Sequence, residues 1–431
     1  MNDDTQRPDW IDTAGTAEDE AERQALMATH AAAVEAGRTE AEGIELRRKW
    51  PISPVVPEGD AGWAYGKPVP AAKFLCETTG TSRSGVFELG ATGLLIGEGG
   101  AGKGWVALDL ALAVAAGGDP EGSPPWLGEG GMTVKHPGHV LFLTAEDRRV
   151  QIDRRLVRLR DARFPEAGYT DAKPGEPPAD RADRNRRGTA QRNALEMAGR
   201  RLHILATQDT PGLESVRFQT DGKDKGGGEP SPDLHALRAR LCEAAEARAE
   251  LAGKPQPWRL IVLDTLSRLA SSEAETDNAI AARLVQAVEL LSDCNPPREE
   301  RACVLVLHHT SKGTGRGQGA RASRGSSALT DNARWVGQLT NKMKGDDETP
   351  WRIFSFPKAN HSPSTKPLCL WQAPEDGAAI PAGTDPGPIV GGVLYPRPRP
   401  AMNDDLEASQ ANGSKGGTKA TKQKPGIGPM R

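Results

Sequence analysis

The stretch that most constrains the fold is the passage from a short apolar run through a glycine-rich turn into a helical pattern. GLLIG predicts a strand, and the residues from Lys103 to Ala116 carry apolar side chains at helical spacing. Between them GEGGAGKG, residues 97–104, matches the phosphate-loop pattern G-x-x-x-x-G-K-[ST] except at its last position, which is Gly104. A strand that enters a helix through such a turn begins a βαβ unit, so an α/β fold is expected.

Later apolar runs extend this unit into a mostly parallel sheet flanked by helices. The predicted buried strands are HVLFLTAED, RLHILA, WRLIVLD and RACVLVLHH, and helical patterns separate most of them. Beyond them the pattern changes to short strands with polar turns, ARWVGQLT, WRIFSFPK and PLCLWQ, which predict C-terminal antiparallel additions.

Composition predicts three parts along the chain. Residues 1–75 form an N-terminal helical arm with a Pro-containing linker, and residues 76–400 hold the α/β domain. The domain carries an insertion at 164–232, whose Pro, Gly, Asp and Arg content predicts loops on both sides of RLHILA. Residues 401–431 are expected to be a disordered basic tail, so both terminal extensions are predicted to be flexible.

Charge and cysteine usage narrow the class of protein. The net charge of −3 means that any nucleic-acid contact has to come from a local basic patch. Five cysteines lack C-x-x-C spacing, which favours a reducing compartment and argues against zinc. No apolar run approaches the roughly 20 residues that span a bilayer, so no membrane contact and a cytoplasmic location are expected.

The glycine-rich turn predicts a nucleotide site. Glycines let the backbone N–H groups wrap a phosphate closely, and Lys103 adds a positive charge at the start of a helix. The alternative is a strand-to-helix turn with no ligand, and the flanking strand and helix favour the phosphate loop. The predicted nucleotide-binding residues are Gly97, Gly99, Gly100, Ala101, Gly102, Lys103, Gly104 and Asp264.

Polar residues end the predicted strands, and the carboxyl ends of parallel strands share one edge of a sheet. Asp264 follows a buried run, where a carboxylate is costly unless it is paired, hydrated or bound to a cation such as Mg²⁺; a helix N-cap is the alternative. Since Thr265 is not an acid, the catalytic base is sought at Glu146, with Asp147 as the alternative. The pair His308 and His309 is a poor metal site, because adjacent strand residues point to opposite faces.

A glycine-rich segment, residues 310–325, carries four cations and no acid. Lys312, Arg316, Arg321 and Arg324 suit a phosphate backbone, whereas base stacking is not expected because the segment has no aromatic residue. The alternative is a solvated surface loop.

In order along the chain, these motifs resemble the RepA-type plasmid replicative helicases, ring-shaped ATPases of the RecA/DnaB-like superfamily. The similarity covers about residues 90–372, and its most telling parts are TAED, VLDTLSRL, LHHTSKG, ASRGSSALTDNARWV and PKANHS. The resemblance implies a RecA-like fold, ATP and Mg²⁺ as cofactors, single-stranded DNA as a partner and assembly into a homohexamer.

The resemblance also implies a role for each matched residue. Lys103 would hold the β- and γ-phosphates, Glu146 would be the catalytic base, and Asp264 would hold Mg²⁺ through water. His309 would sense the γ-phosphate and relay its state to a DNA-binding loop that contains Lys312, Arg316 and Arg321. Arg324 would be an arginine finger in the neighbouring subunit's site, with Lys358 as a second cation supplied in trans.

Gly104 departs from the family pattern, because Mg²⁺ loses an inner-sphere hydroxyl and has to take water instead. Weaker Mg²⁺ binding and slower turnover are expected. The sequence therefore predicts an ATP-dependent helicase or translocase on single-stranded DNA in plasmid or phage replication. Two alternatives stay open: a recombination or repair ATPase that does not unwind DNA, and a nucleotide-gated DNA-binding protein with impaired hydrolysis.

Overall fold

The computed structural model describes residues 72–78, 85–118, 120, 121, 123, 125–128, 131–168, 176–220, 229–271, 274, 277–295, 300–309, 327–341, 351–359, 367–372 and 394–396. The strands are β1 (Phe74–Thr78), β2 (Gly85–Glu88), β3 (Thr92–Gly97), β4 (Met132–Val134), β5 (His139–Thr144), β6 (Leu202–Ala206), β7 (Trp258–Asp264), β8 (Cys303–His309), β9 (Trp335–Asn341), β10 (Trp351–Ala359), β11 (Leu368–Gln372) and β12 (Leu394–Pro396). The α-helices are α1 (Lys103–Ala115), α2 (Arg149–Arg163), α3 (Pro178–Arg201), α4 (Pro232–Ala252), α5 (Leu266–Leu269), α6 (Asn278–Glu289) and α7 (Ser327–Asn332).

The main sheet has the strand order β12-β11-β10-β9-β3-β8-β7-β5-β6. The six strands from β9 to β6 in this order pair in parallel, and β10, β11 and β12 pair antiparallel. The predicted α/β fold, a mostly parallel sheet flanked by helices with antiparallel strands at its C-terminal side, is confirmed. Of the predicted terminal extensions, residues 1–75 and 401–431, the structure describes only 72–75, and the rest lie outside the described residues.

Alternate residues of the central strands enter two separate cores. Phe142, Val262 and Leu305 belong to the core that α1 covers, while Leu143 and Leu263 belong to the core on the opposite face, beneath α4 and α6. Since successive strand residues point to opposite faces, a continuous apolar run is what a sheet covered on both sides requires. This arrangement leaves the strand ends as the places where polar side chains can meet.

Helix α1 is buried almost all round, and this fixes the turn that precedes it. Ten of its 13 residues are buried, from Lys103 to Ala115, and the helix packs against β5 and β7. A helix that is apolar on nearly all sides belongs in the interior of a protein. The glycine-rich turn is therefore held between a buried strand and a buried helix.

The interpretation of the 164–232 insertion as loops around one strand is wrong over residues 178–201, which form α3. Pro178 starts the helix, and Arg200 and Arg201 lie in its last turn, where cations complement the helix dipole. Its polar composition hid the helix, because few apolar residues mark a buried stripe.

Ion pairs attach α3 to the segment that precedes it. Arg184 donates two hydrogen bonds of 2.8 Å to Glu176, and Arg187 donates to both carboxylate oxygens of Glu166. The predicted strand RLHILA is confirmed as β6, at the edge of the main sheet.

A second, three-stranded sheet has the order β2-β1-β4 and was not predicted. Its strand β1 begins at Phe74, before the boundary at residue 76 that the sequence suggested for the α/β domain. Among the described helices, none has the length and apolar character that crossing a bilayer requires.

Candidate functional site

The turn between β3 and α1 has a backbone that requires glycine at two positions and open space above it. Gly100 and Gly102 have φ values of 77° and 97°, in the left-handed region that L side chains rarely adopt. A Cβ added at Gly99 or Gly100 would meet nothing within 4 Å among the described residues, so space for a ligand lies beside the turn. At Gly97 a Cβ would clash with the carbonyl oxygen of Leu339 in β9.

Lys103 is the first residue of α1, and its ammonium group points back into the turn. Its Nζ donates to the carbonyl oxygens of Gly97 and Glu98 at 2.9 and 3.0 Å, and it lies 3.3 Å from Nδ1 of His309. The residue is 6% exposed, and this burial lowers the pKa of Lys103 to about 8, against the attraction of Asp264 and Glu146. Two carbonyl groups of the turn hold the buried ammonium group in place. A cation held there is suited to bind an anionic ligand.

Asp264 ends β7 beside the first turn of α1. It is 7% exposed, and burial together with the charges of Glu146 and Asp147 raises its pKa to about 7, against the opposing effects of Arg155 and Lys103. An isolated carboxylate in such a place favours either a proton or a cation. The carboxylate is therefore suited to bind a metal ion. Without a bound cation, burial and the nearby acidic residues favour its protonated form.

Glu146, His309 and Lys103 form a continuous polar chain across three strand ends. Nε2 of His309 lies 3.6 Å from Oε2 of Glu146, and Nδ1 of the same ring accepts from Lys103. Because a charged lysine can only donate, this contact is compatible with the tautomer whose proton is on Nε2, the nitrogen on the side of Glu146. The contact with His309 lowers the pKa of Glu146, although burial opposes it.

The segment that carries Glu146 is fixed by hydrogen bonds that sequence reasoning missed. Nε2 of Gln208 donates to the carbonyl oxygens of Ala145 and Glu146 at 3.1 and 3.0 Å. The backbone N–H of Asp147 donates to Oγ1 of Thr144 at 3.0 Å. No sequence signal identified Gln208, because it follows the neighbouring strand β6, which lies within the insertion.

Asp147, the alternative base, is engaged by an arginine of α2. Nη1 and Nη2 of Arg155 lie 2.5 and 3.3 Å from the two carboxylate oxygens of Asp147. A Cβ added at Gly104 would lie 3.3 Å from Nη1 of Arg155 and 3.8 Å from Oδ2 of Asp264. Arg155 was not predicted as a site residue. It lies beside position 104, where the phosphate-loop pattern has Ser or Thr, because α2 packs on α1.

The remaining predicted site residues divide into two groups. Lys312, Arg316, Arg321 and Arg324 lie in the segment 310–326, outside the described residues. Lys358 lies on β10, where its Nζ donates to the carbonyl oxygens of Thr330 and Asp331 at 3.0 and 2.6 Å, at the end of α7. Ala101 is fully buried under the turn, and His308 is buried in the sheet.

A metal ion at this site would have few protein ligands. Across the described part of the chain, no group of three or more His, Cys, Asp and Glu residues is spaced to hold one. Asp264 is the carboxylate beside Gly104 and the first turn of α1. Mg²⁺ usually keeps several waters and takes one or two carboxylates plus substrate phosphates, so this donor set fits Mg²⁺ bound together with a nucleotide.

Comparison with known proteins adds a family and three remote structural likenesses. The sequence model of the AAA domain family matches residues 82–315, more than half of the chain. One solved ATPase domain is 12% identical with a TM-score of 0.38, over 65% of this chain and 81% of that one. A DnaB-like replicative helicase, solved in a study of its interactions with primase, is 12% identical with a TM-score of 0.40, over 66% and 56%. The RadB recombinase is 13% identical with a TM-score of 0.36, over 68% and 91%.

Proposed function

This chain belongs to the AAA domain family of P-loop ATPases, and from that premise we propose that it hydrolyses ATP as a homohexamer that moves along single-stranded DNA. The observation that carries the proposal is the linked chain of Lys103, His309 and Glu146 beside the buried Asp264. In a sheet of parallel strands, ligands bind in the crevice beyond the carboxyl ends, where these four residues lie. Replication of a plasmid or phage, as in the RepA type, is the setting we propose.

The site fits ATP with Mg²⁺ on the geometry of its own residues. The open space beside Gly99 and Gly100 would accommodate phosphates at the N-terminus of α1, where backbone N–H groups and the helix dipole favour anions. Lys103 would exchange its carbonyl partners for phosphate oxygens, and Asp264 would hold the metal through water. When bound, Mg²⁺ neutralises charge that develops on the β- and γ-phosphates.

Glu146 would orient and deprotonate the attacking water. The contact with His309 lowers the pKa of Glu146 and so favours the ionised form that a base requires. His309 contacts both Glu146 and Lys103, so a phosphate that draws Lys103 away would also change the hydrogen bonding of His309. His309 is the last residue of β8, directly before the 310–325 segment, and we propose that it relays the state of the γ-phosphate to that segment.

The 310–325 segment would contact the DNA backbone through Lys312, Arg316 and Arg321. Arg324 would complete the active site of the neighbouring subunit, and Lys358 would be a second cation in trans. A cation supplied by a neighbour makes assembly part of catalysis, because it is worth about 10³-fold or more in rate. Lys358 would have to leave Thr330 and Asp331 to take this role.

The direct test measures ATP turnover with and without single-stranded DNA. We expect hydrolysis that DNA stimulates and that Lys103→Ala abolishes. Lys135→Ala is the matched control, because Lys135 directly follows β4 of the three-stranded sheet and makes an ion pair there with Glu77. Turnover that survives in Lys103→Ala would contradict the proposal.

A second candidate, a nucleotide-gated DNA-binding protein, is favoured by one observation, the glycine at position 104. Without a hydroxyl there, Mg²⁺ has one ligand fewer and hydrolysis is expected to be slower. Tight ATP binding with no turnover would favour this candidate. A strand-displacement assay then separates a helicase from a recombination or repair ATPase, since only the helicase releases the displaced strand.

A further inference from the structure

The position that lacks a hydroxyl has an arginine beside it. A side chain at Gly104 would begin 3.3 Å from Nη1 of Arg155, closer than most Cβ contacts, and 3.8 Å from Oδ2 of Asp264. In P-loop ATPases the residue at this position and the aspartate of the neighbouring strand hold Mg²⁺ together. Here the guanidinium of Arg155 lies beside position 104, and its charge acts on Asp264.

Arg155 is held in this position by three contacts. It makes a two-point ion pair with Asp147, and its guanidinium lies 5.9 Å from the centroid of the Trp105 ring. Trp105 belongs to α1 and Arg155 to α2, and these helices pack on each other. The Arg155 side chain is 27% exposed, so it is not fully enclosed by these contacts.

We propose that Arg155 is a built-in cation of the nucleotide site, which binds phosphate oxygens and replaces part of the charge neutralisation that Mg²⁺ gives in hydroxyl-containing relatives. The inference rests on the proposed binding of ATP. Arginine suits this role because its guanidinium carries five N–H donors, of which the ion pair with Asp147 takes two. Gly104 leaves the space that the guanidinium needs, since any side chain there would crowd Nη1.

The consequence is nucleotide binding that survives removal of Mg²⁺. A purely positioning role makes a different prediction: if Arg155 only fixes Asp147, its loss would weaken binding equally with and without the metal. The two roles are therefore separated by the metal dependence of affinity.

The experiment is equilibrium binding of a fluorescent ATP analogue to the full-length chain, in EDTA and in excess Mg²⁺. We expect Arg155→Gln to weaken binding in EDTA by about tenfold or more, the size of a lost charge-assisted contact. In Mg²⁺ the same variant should lose less than about threefold. Arg154→Gln is the control, an exposed arginine on the same helix, and should match the wild type in both conditions.

Two more variants keep the test decisive if Arg155→Gln folds poorly. Arg155→Lys keeps the charge and should retain more affinity in EDTA than Arg155→Gln. Asp147→Asn frees the guanidinium from its partner and should leave the affinity in EDTA unchanged or tighter. A loss of affinity in EDTA for Asp147→Asn would overturn the inference without reference to Arg155→Gln, because it would show that the ion pair rather than the guanidinium charge supports binding.

Gly104→Ser supplies the missing hydroxyl and completes the design. In the single variant Gly104→Ser, the added side chain meets Nη1 of Arg155 and should improve Mg²⁺-dependent nucleotide binding little. In the double variant Gly104→Ser with Arg155→Gln, the serine should restore a strong Mg²⁺ dependence of nucleotide affinity. Independent effects of the two substitutions would count against the inference. If Lys103→Ala weakens ATP binding but Arg155→Gln binds like the wild type, the inference about Arg155 is overturned and the proposed function stands. If the wild type binds no ATP, or binds it equally well without Lys103, the proposed function is overturned as well.

Discussion

Glu146 and Asp264 are two carboxylates of one site whose surroundings shift their pKa values in opposite directions. His309 lowers the pKa of Glu146, and burial raises that of Asp264 to about 7. Carboxylates separated in this way take different tasks in many active sites. Glu146, whose ionised form is favoured, suits the role of a base, and the buried Asp264 suits the binding of a cation.

We therefore expect Glu146→Gln to lower the rate of ATP hydrolysis by about 10² to 10⁴ while nucleotide affinity stays near that of the wild type. Single-turnover hydrolysis and equilibrium binding would measure the two effects separately. Glu196→Gln, on the exposed surface of α3, is the control and should change neither. A Glu146→Gln variant with normal turnover would leave Asp147 as the candidate base.

Gly99 and Gly100 allow a test of the backbone alone. Both have open space where a Cβ would be, but only Gly100 combines that space with a left-handed backbone. Gly100→Ala should therefore lower the free energy of unfolding by about 1–2 kcal/mol, while Gly99→Ala should leave it nearly unchanged. Urea unfolding with equal m-values would measure this difference, and equal stability of the two variants would refute it.

At the scale of elements, the opposite ends of the parallel strands carry a pair of histidines, of which His139 is buried and His203 is half-buried. His139 begins β5, and its Nδ1 lies 3.2 Å from Nε2 of His203 in β6. Burial, with the charges of Arg248, His203 and Arg201, lowers the pKa of His139 to about 3, although Gln256 opposes this. These strand starts are therefore stable only while the imidazoles are neutral.

This pair makes stability depend on pH with a defined sign. The unfolded chain protonates histidine below about pH 6.5 and folded His139 does not, so stability is lost as the pH falls from about 6.5 toward 3. For His139 the loss at pH 5 is about 2 kcal/mol. His139→Asn should show a smaller change in unfolding free energy between pH 7.5 and 5, whatever its absolute stability.

Exposed His235 on α4 supplies the control for this measurement. His235→Asn should keep the pH dependence of the wild type in urea unfolding at both pH values. If His139→Asn also keeps it, the acid sensitivity of the fold arises elsewhere.

At the scale of the whole molecule, the proposed ring predicts complementation between inactive variants. Arg324→Ala leaves the site of its own subunit intact but removes the proposed finger, whereas Glu146→Gln does the reverse. In a random equimolar mixture about one interface in four joins an intact Glu146 to an intact Arg324, so ATPase activity should recover to about that fraction.

Lys103→Ala mixed with Glu146→Gln is the matched control. Both substitutions lie in the part of the site that one subunit supplies, so no interface regains a complete set and activity should not recover. Recovery in this control, or none in the Arg324→Ala mixture, would contradict a finger supplied in trans.

The sheet was predictable because its evidence is local. Runs such as WRLIVLD are apolar enough to be buried on both sides, and the turn at 97–104 can be recognised from its glycines. Helix α3 was missed because its evidence is not local: its buried face consists of small and polar residues such as Ala194 and Ala198, and ion pairs to Glu166 and Glu176 attach it.

The sequence by itself determined the α/β sheet, the glycine turn and the residue types at the strand ends, because burial and backbone conformation follow from neighbouring residues. Only the tertiary structure decided how those ends connect: His309 between Lys103 and Glu146, and Arg155 beside Gly104. These contacts join residues far apart in the chain through strand order and helix packing. Hydrophobic periodicity records that a residue is buried, and it carries no record of the partner it meets there.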